Sequence, residues 1–161
     1  MDNSKYKILV IPSDRTGVSK FRSVDPHIRL QELYPEDFWV DVDYEPKLDD
    51  ESYLTGYDLI HFHRHLSPNH EVSLKALKKI KKLGIPAIMD IDDYWLPTID
   101  HPAHAIVKQH QLDKNIKAHL KETEYISTTT QIYANEMKTF GGEIFILPNA
   151  VNPNDSFNLN Q

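Results

Sequence analysis

The feature that most constrains the fold is a repeated alternation of short apolar segments with segments of helical periodicity. Six apolar segments have the length of β-strands, at residues 5–11, 38–44, 57–63, 85–91, 124–130 and 143–151. Strands separated by helices form βαβ units, and such units build a parallel sheet. The sequence therefore predicts an α/β fold, a single Rossmann-like domain over residues 1–152 with a parallel sheet of about six strands and helices on both faces. Residues 153–161 are predicted to be a linker or a disordered tail.

Helical signals occupy four of the intervening segments, at residues 25–34, 68–83, 103–121 and 131–140. Pro26 and Pro68 each follow a residue that favours a helix N-terminus, Asp25 and Ser67 respectively. Residues 12–24 are mostly polar, contain one glycine, and are predicted to be a loop. The second strand alternates apolar and acidic residues, which indicates one solvated face and a place near the sheet edge.

The charge and composition limit the possible partners. The formal net charge is −6, so no overall basic field attracts nucleic acid or anionic lipid. A lysine cluster at residues 78–82 falls at a predicted helix end, where it suits the helix dipole. The chain has no cysteine, which excludes disulfides and thiolate chemistry. No segment approaches the roughly 20 apolar residues of a membrane span and no signal-peptide core is present, so we expect a cytoplasmic protein.

The candidate site lies in the residues that follow each strand, because ligands of parallel α/β sheets bind beyond the carboxyl ends of the strands. After the first strand come Gly17, which either lets the backbone approach a ligand or supplies a positive φ, and then Arg22. The third strand ends in HFHRH, residues 61–65. If this stretch stays extended, its three histidines share one face, as a polar lining that bonds hydroxyl groups or as a metal site.

The stretch AIMDIDDYW, residues 87–95, ends the fourth strand with three carboxylates and two aromatic residues. Asp90, Asp92 and Asp93 can chelate a divalent cation that holds a nucleotide diphosphate, or repel one another so that one serves as a base. Alternatively, Asp92 or Asp93 caps the next helix or turn. Trp95 either stacks on a sugar ring or packs beneath the loop. Thr129, after the fifth strand, belongs to a hydroxyl-rich run that can cap a helix or face a ligand.

Four stretches together resemble one known family. They are GVSKFRSVDP, YDLIHFHRH, IPAIMDIDDYW, and ISTTTQIYANEM followed by IFILPNAVNP. The first is similar to that family's first loop, and the second to a third strand that typically ends in histidine. The third resembles a subgroup with an acidic Asp-x-Asp-Asp where other members have histidine, and the last resembles the segment leading into a second domain. From Lys7 to about Pro153, the chain resembles the N-terminal, acceptor-side half of a GT-B retaining glycosyltransferase of the group 1, or family 4-like, type.

This resemblance implies a function and a set of roles. The chain would be the acceptor-binding domain of a retaining enzyme, with a nucleotide-sugar donor as co-substrate, a glycan or other acceptor, and no metal cofactor. Asp90 or Asp92 would lie near the reacting sugar, which makes them the catalytic candidates. The candidate substrate-binding residues, from the resemblance and from the strand ends together, are Gly17, Arg22, His61, His63, Arg64, Asp93, Trp95 and Thr129.

The resemblance covers one domain only. Enzymes of this family have two Rossmann-like domains, and the C-terminal one mainly holds the donor nucleotide. The chain stops where that domain would begin, so it is expected to be inactive or very weak alone and to need a C-terminal domain as its partner. It would then be either an excised domain or a natural half-protein.

Three other functions stay open at the level of sequence. A signalling receiver domain shares the doubly wound sheet, but it requires an aspartate after the third strand and a lysine after the fifth, where this chain has histidines and threonines. A metal-dependent hydrolase could combine the histidines with Asp90, Asp92 and Asp93. A non-catalytic carbohydrate- or partner-binding domain could be built on the same Rossmann-like scaffold.

Overall fold

The computed structural model describes residues 5–149, except residues 94 and 96. It contains six strands, which are β1 Tyr6–Ile11, β2 Phe38–Val42, β3 Leu59–His63, β4 Ala87–Ile91, β5 Tyr125–Thr128 and β6 Glu143–Ile146. They form one sheet in the order β2-β1-β3-β4-β5-β6, and every neighbouring pair is parallel. This confirms the predicted α/β class, with β2 at a sheet edge. Residues 150–151 of the sixth predicted strand and the predicted tail, 153–161, lie outside the described residues.

Helices connect the strands. Their bounds are α1 Gly17–Ser19, α2 Asp25–Leu33, α3 Glu51–Leu54, α4 His70–Lys82, α5 His104–Gln109, α6 Leu112–Glu122 and α7 Gln131–Met137. A π-helical segment, Lys20–Val24, joins α1 to α2, and a 3-10 turn, Lys138–Phe140, follows α7. The predicted loop over residues 12–24 is therefore helical from Gly17 onwards, because packing against β1 and β3 outweighs the weak helix propensity of this segment.

Two other helix predictions are corrected. The predicted helix over residues 103–121 is two helices, α5 and α6, because Gln111 adopts a left-handed conformation with φ 51° and interrupts the helix. Helix α4 begins at His70, and its N-cap is Asn69 rather than Ser67, since the Asn69 side chain accepts a hydrogen bond from a backbone N–H of the first turn. The single turn of α3 has no counterpart in the sequence prediction.

Apolar side chains pack on both faces of the sheet. On one face they join the strands to α4, α6 and α7, and the fully buried strand residues of this core include Leu9, Ile60, Phe62, Met89 and Ile126. On the other face a smaller cluster forms around Ile8, Val10 and Val40, with Ile28 and Leu30 of α2 packed against it. Helices thus lie on both faces, and the burial of this apolar surface is the main source of stability.

The strand order reverses direction between β1 and β3. From β1 the chain moves outward to β2, and it then returns to place β3 on the other side of β1. In open α/β sheets, ligands bind at such a switch point, in the crevice outside the carboxyl ends of the strands. The loops after β1 and β3, residues 12–16 and 64–69, border this crevice.

Candidate functional site

A series of hydrogen bonds joins the strand ends on both sides of the switch point. The Nδ1 atom of His63, the last residue of β3, lies 2.9 Å from Ser13 Oγ and 3.1 Å from Ser19 Oγ. The Nε2 atom of His63 lies 3.0 Å from Oδ1 of Asp92, which follows β4 directly. We call Ser13, His63, Arg64 and Asp92 the strand-end cluster.

The protonation states within this cluster follow from Asp92. Burial would raise the pKa of Asp92, but the hydrogen bond from His63 and the charge of Arg64 outweigh it and lower that pKa to about 2. The carboxylate is therefore ionised at neutral pH and accepts the proton on His63 Nε2. Ser13 Oγ donates to Asp14 Oδ2 at 3.1 Å, so in a neutral imidazole Nδ1 accepts its hydrogen bond from Ser19. Ser13 is only partly buried, whereas Ser19 and His63 are fully buried, so the Ser13 hydroxyl is the end of this series nearest to solvent.

Arg64 has an unusual backbone conformation. Its φ is 63°, in the left-handed region that costs a non-glycine residue roughly 1–2 kcal/mol. Its guanidinium donates to Asp92 Oδ1 from Nε at 3.2 Å and from Nη2 at 2.9 Å, and Nη2 also donates to Asp93 Oδ2 at 2.5 Å. The Asp93 side chain is 74% exposed, so this second ion pair is solvated. Neither carboxylate caps the next described helix, which begins at His104.

A buried ion pair links the helical segment after β1 to the ends of β4, β5 and β6. Arg22 donates to Asp90 from Nε at 3.0 Å and from Nη2 at 2.5 Å, while Ser127 Oγ donates to Asp90 Oδ1 at 2.6 Å. Arg22 Nη1 also donates to Leu147 O at 2.6 Å and lies 3.3 Å from Asn149 Oδ1. The side chains of Arg22 and Asp90 are 5% and 1% exposed. Asp90 therefore has its hydrogen bonds inside the protein, and a catalytic role for it stays a prediction that this geometry does not favour.

Neither Gly17 nor the His61 side chain forms a described hydrogen bond to the strand-end cluster. Gly17 opens α1 without a positive φ, and a Cβ there would meet only Phe21 at 3.7 Å, so the backbone does not require glycine. His61 is 3% exposed, and its ring lies 4.4 Å from the ring of His27. Burial, followed by repulsion from His27, lowers the pKa of His61 well below its usual value, so its imidazole is neutral. A substrate-binding role for either residue stays untested.

Trp95 and Thr129 lie near the ends of β4 and β5. Trp95 is 4% exposed and packs edge-to-face on Phe140, with ring centroids 6.1 Å apart, so little of its indole surface is open to a sugar ring. Thr129 directly follows β5 and is half-buried. Its neighbour Thr130 caps α7 by accepting a hydrogen bond from Tyr133 N at 3.3 Å. The hydroxyl run after β5 thus provides a helix cap, which is one of the two roles predicted for it from the sequence.

The stretch HFHRH does not stay extended beyond His63, so the condition under which its three histidines would share one face is not met for His65. The left-handed turn at Arg64 ends the strand geometry, so the alternation of side chains stops at His63. His65 lies instead beside His119, and the two line one cavity. Burial, followed by repulsion from His119, lowers the pKa of His65.

Ser13, Asp14 and Ser19, in the loop after β1 and in α1, were not among the predicted site residues. Ser13 and Ser19 contact His63, and Asp14 accepts hydrogen bonds from the Thr16 hydroxyl at 2.5 Å and the Thr16 N–H at 2.7 Å. The hydroxyl of Thr16 is the main cause that lowers the pKa of Asp14 to about 2, against the opposing effect of burial. The signal available in the sequence was the density of polar groups around Gly17, in SDRTGVS.

Among the described residues, no three histidine, aspartate or glutamate side chains form a group that could hold a metal ion. Within the same part of the chain, no helix has the length and apolar character needed to cross a bilayer.

No protein-family model matches the chain, and neither does any curated protein sequence. Among solved structures, the chain is similar to UGT73P12 of Glycyrrhiza uralensis, a GT-B family UDP-glycosyltransferase crystallised with glycyrrhetinic acid 3-O-monoglucuronide. The TM-score is 0.50 at 10% identity, and the alignment covers 93% of this chain and 49% of that chain. It is also similar to a conserved protein from Enterococcus faecalis V583, over 89% of this chain and 92% of that one at 10% identity, but the TM-score of 0.38 carries no argument.

At this identity, the likeness to UGT73P12 concerns the fold alone. The chain spans about half the length of that protein, 49%, so it corresponds to one part of it. The fold and the site together define the class of protein: a doubly wound α/β domain whose polar residues gather at the switch point of a parallel sheet.

Proposed function

We propose that this chain is the N-terminal, acceptor-binding domain of a nucleotide-sugar-dependent retaining glycosyltransferase. The donor nucleotide would be held mainly by a C-terminal domain, and the present chain alone would be inactive or nearly so. A glycan or another hydroxylated molecule would be the acceptor. Helix dipoles and basic groups, rather than a divalent metal, would neutralise the leaving diphosphate.

The observation that carries the proposal is the position of the strand-end cluster in this particular fold. Ser13, His63 and Asp92 are joined by hydrogen bonds of 2.9 and 3.0 Å at the switch point. The surrounding sheet is similar to about half, 49%, of a GT-B glycosyltransferase. A polar, partly exposed cluster at this place suits the recognition of a hydroxylated acceptor.

Within this proposal, Asp92 is the carboxylate closest to the reacting sugar. Its described contacts with His63 and Arg64 all end on Oδ1, so Oδ2 is the oxygen that could face a ligand. An ionised carboxylate there would stabilise the positive charge that develops on the donor sugar as the glycosidic bond to the diphosphate breaks. The Ser13 hydroxyl, held between His63 and Asp14, would bind the acceptor hydroxyl. Asp90 would act as a positioning residue, through its ion pair with Arg22.

The test uses the natural protein, expressed with whatever coding sequence follows Gln161 in its gene. It is incubated with UDP-, GDP- and ADP-linked sugars, with and without a panel of hydroxylated acceptors, and the released nucleotide is measured. One donor is expected to be consumed, and NMR of the product is expected to show retained anomeric configuration. Asp92→Asn should lower turnover by about 100-fold, the size of effect found when one charge-stabilising group is removed.

The matched control is Asp37→Asn, because Asp37 is an exposed aspartate at the turn before β2, away from the carboxyl ends of the strands. Its turnover should equal that of the unmodified protein. Failure of the complete natural protein to consume any nucleotide sugar would contradict the proposal, as would equal turnover of the Asp92→Asn and Asp37→Asn variants. Inversion at the anomeric carbon would contradict only the retaining mechanism.

A further inference from the structure

A cavity of about 540 Å³ lies beside the strand-end cluster, among the ends of β3 and β4 and the helices α5, α6 and α7. Its described lining includes Arg64, Asp93, Val107, Leu112, Ile116 and Tyr133. We call it the apolar cavity. Arg64 belongs both to its wall and to the strand-end cluster, so a ligand in the cavity would lie next to that cluster. The roles assigned above leave the cavity itself unused.

Much of the wall is apolar, and part of this apolar surface is open to solvent. Val107 and Ile116 are only partly buried, and Leu112, the first residue of α6, is 38% exposed. Small-molecule pockets have volumes of about 300–1,000 Å³ and mostly apolar walls, and this cavity agrees with both properties. A ligand with an apolar body would remove the exposed part of these side chains from water, which is favourable.

Two side chains of opposite charge, Arg64 and Asp93, form the charged part of the wall. A ligand can reach both, because their side chains are 28% and 74% exposed. The described side-chain hydrogen bonds of Arg64 use Nε and Nη2, and that of Asp93 uses Oδ2. The guanidinium Nη1 and the carboxylate Oδ1 therefore remain for a ligand, the first as a donor and the second as an acceptor.

These two groups together favour an uncharged hydroxyl group. A hydroxyl can accept a hydrogen bond from Arg64 and donate one to Asp93 at the same time. Asp93 would repel an anionic ligand, and Arg64 would repel a cationic one. The charge of Arg64 is also paired with Asp92 and Asp93, which reduces its attraction for an anion. The charged part of the wall thus selects a hydroxylated ligand without a net charge.

We propose that the apolar cavity binds an uncharged alcohol with an apolar ring body. Its hydroxyl group pairs with Arg64 and Asp93, and its hydrocarbon part contacts Val107, Leu112 and Ile116. A glycan suits this wall less well, because it would place hydroxyl groups against apolar side chains that offer no hydrogen bonds. Within the proposed function, this alcohol would be the acceptor or its apolar part. That identification rests on the proposed function, whereas the binding itself does not.

The experiment is an NMR titration of the 161-residue chain, labelled with carbon-13 in its methyl groups, with the uncharged two-ring alcohol decahydro-2-naphthol. Methyl spectra observe Val107, Leu112 and Ile116 directly. Their signals are expected to shift in a saturable way, with a dissociation constant of about 0.1–1 mM for a ligand of this size. Cyclohexanol, which has one ring, should bind at least about tenfold more weakly, because it buries fewer CH₂ groups.

Three further ligands test the chemistry of the wall. Methyl glucoside has hydroxyl groups but no apolar body, decahydro-2-naphthoate carries a negative charge, and decahydro-2-naphthylamine carries a positive one. Each should bind at least about fivefold more weakly than decahydro-2-naphthol. The first loses apolar contact, and the other two meet a like charge in a partly solvated place.

Two variants and one control locate the binding. Leu112→Ala shortens an apolar side chain of the wall and should weaken binding of decahydro-2-naphthol by about tenfold. The matched control is Ile106→Ala, because Ile106 is a 56% exposed apolar residue of α5 outside the described lining, and its affinity should be unchanged. Asp93→Asn removes one negative charge, so it should bind decahydro-2-naphthoate about fivefold more tightly than the unmodified chain does. Damage to the fold would not produce such a gain.

The absence of a saturable methyl shift with decahydro-2-naphthol would overturn the proposal. Equal affinity for this alcohol and for methyl glucoside or either charged analogue would do the same, as would equal affinities of the Leu112→Ala and Ile106→Ala variants. An unchanged affinity of Asp93→Asn for the carboxylate would overturn the role of Asp93. Alcohol binding without turnover of any nucleotide sugar by the complete natural protein would support the cavity while overturning the proposed function. Turnover without alcohol binding would overturn only the cavity.

Discussion

Replacing Asp90 by asparagine tests whether the buried ion pair with Arg22 stabilises the fold. Asp90 is fully buried and receives two hydrogen bonds from Arg22, at 3.0 and 2.5 Å, and one from Ser127 at 2.6 Å. Asparagine keeps the shape of the side chain but leaves the guanidinium, which is 5% exposed, without a counter-charge. Removal of one partner of a buried pair costs about 3–5 kcal/mol, a large part of the roughly 5–15 kcal/mol that stabilises a typical domain.

The free energy of unfolding is measured by urea denaturation, followed by circular dichroism. The control is Glu32→Gln, which removes an exposed ion pair with Arg29, whose side chains are 59% and 56% exposed. Its expected cost is below about 0.5 kcal/mol. The single variant Arg22→Met and the double variant Arg22→Met/Asp90→Asn complete the comparison. Because the double variant removes both buried charges, its loss of unfolding free energy should be about 1–3 kcal/mol smaller than the sum of the losses in the two single variants.

Two results would refute this reasoning. A cost below about 1 kcal/mol for Asp90→Asn would mean that the pair behaves like a surface salt bridge. A double variant whose cost equals the sum of the single variants would mean that Arg22 and Asp90 are not energetically coupled.

Three other perturbations address the histidine pair, the strand-end cluster and the turn before β6. Stability should fall on acidification below about pH 6.5, because partly buried His27 and buried His61 have lowered pKa values and the unfolded chain binds more protons there. In His61→Leu, the slope of unfolding free energy against pH should be smaller, and an unchanged slope would contradict this assignment. Arg64→Gln should raise the pKa of Asp92 above about 2, measured by carboxyl-carbon NMR. Because that pKa lies below the ordinary 3.8, the contribution of Asp92 to stability is present above pH 3.8 and is lost as the pH falls towards about 2. If the pKa of Asp92 were the same in the Arg64→Gln variant as in the unmodified chain, electrostatic coupling between Arg64 and Asp92 would be disproved. Gly142→Ala should destabilise the fold by at least about 1 kcal/mol more than Gly84→Ala. Both glycines have positive φ, 82° and 72°, but a Cβ at Gly142 would lie 3.0 Å from Thr123 O, whereas Gly84 has open space. Equal denaturation midpoints for these two variants would count against the close contact.

The strands could be predicted from sequence because their signal is local. Buried parallel strands are short, nearly continuous apolar runs, and each of the six predicted runs contains one observed strand. The helix predictions were less accurate where a single residue or a distant contact decides the outcome. Gln111 divides one predicted helix in two through its left-handed φ, and the helical path of residues 17–24 depends on packing against β1 and β3.

The candidate site was only partly predictable. The rule that ligands lie beyond the carboxyl ends of strands directed attention to His63, Arg64 and Asp92, and these residues do contact one another. Ser13, which completes the cluster, was missed, because a hydroxyl in a polar loop carries no pattern of its own. The cavity that His65 and His119 line was missed for a related reason, since it depends on the turn at Arg64 that separates His65 from His63.

The sequence by itself determined the alternation of strands and helices, and with it a parallel sheet whose carboxyl ends meet at one edge. Only the tertiary structure decided which side chains touch at that edge, where His63 pairs with Ser13 across 50 positions and Arg22 with Asp90 across 68. The physical reason is that periodicity specifies the face and the end of an element to within several ångströms. A hydrogen bond forms only near 3 Å, so it depends on strand order, rotamers and individual backbone angles.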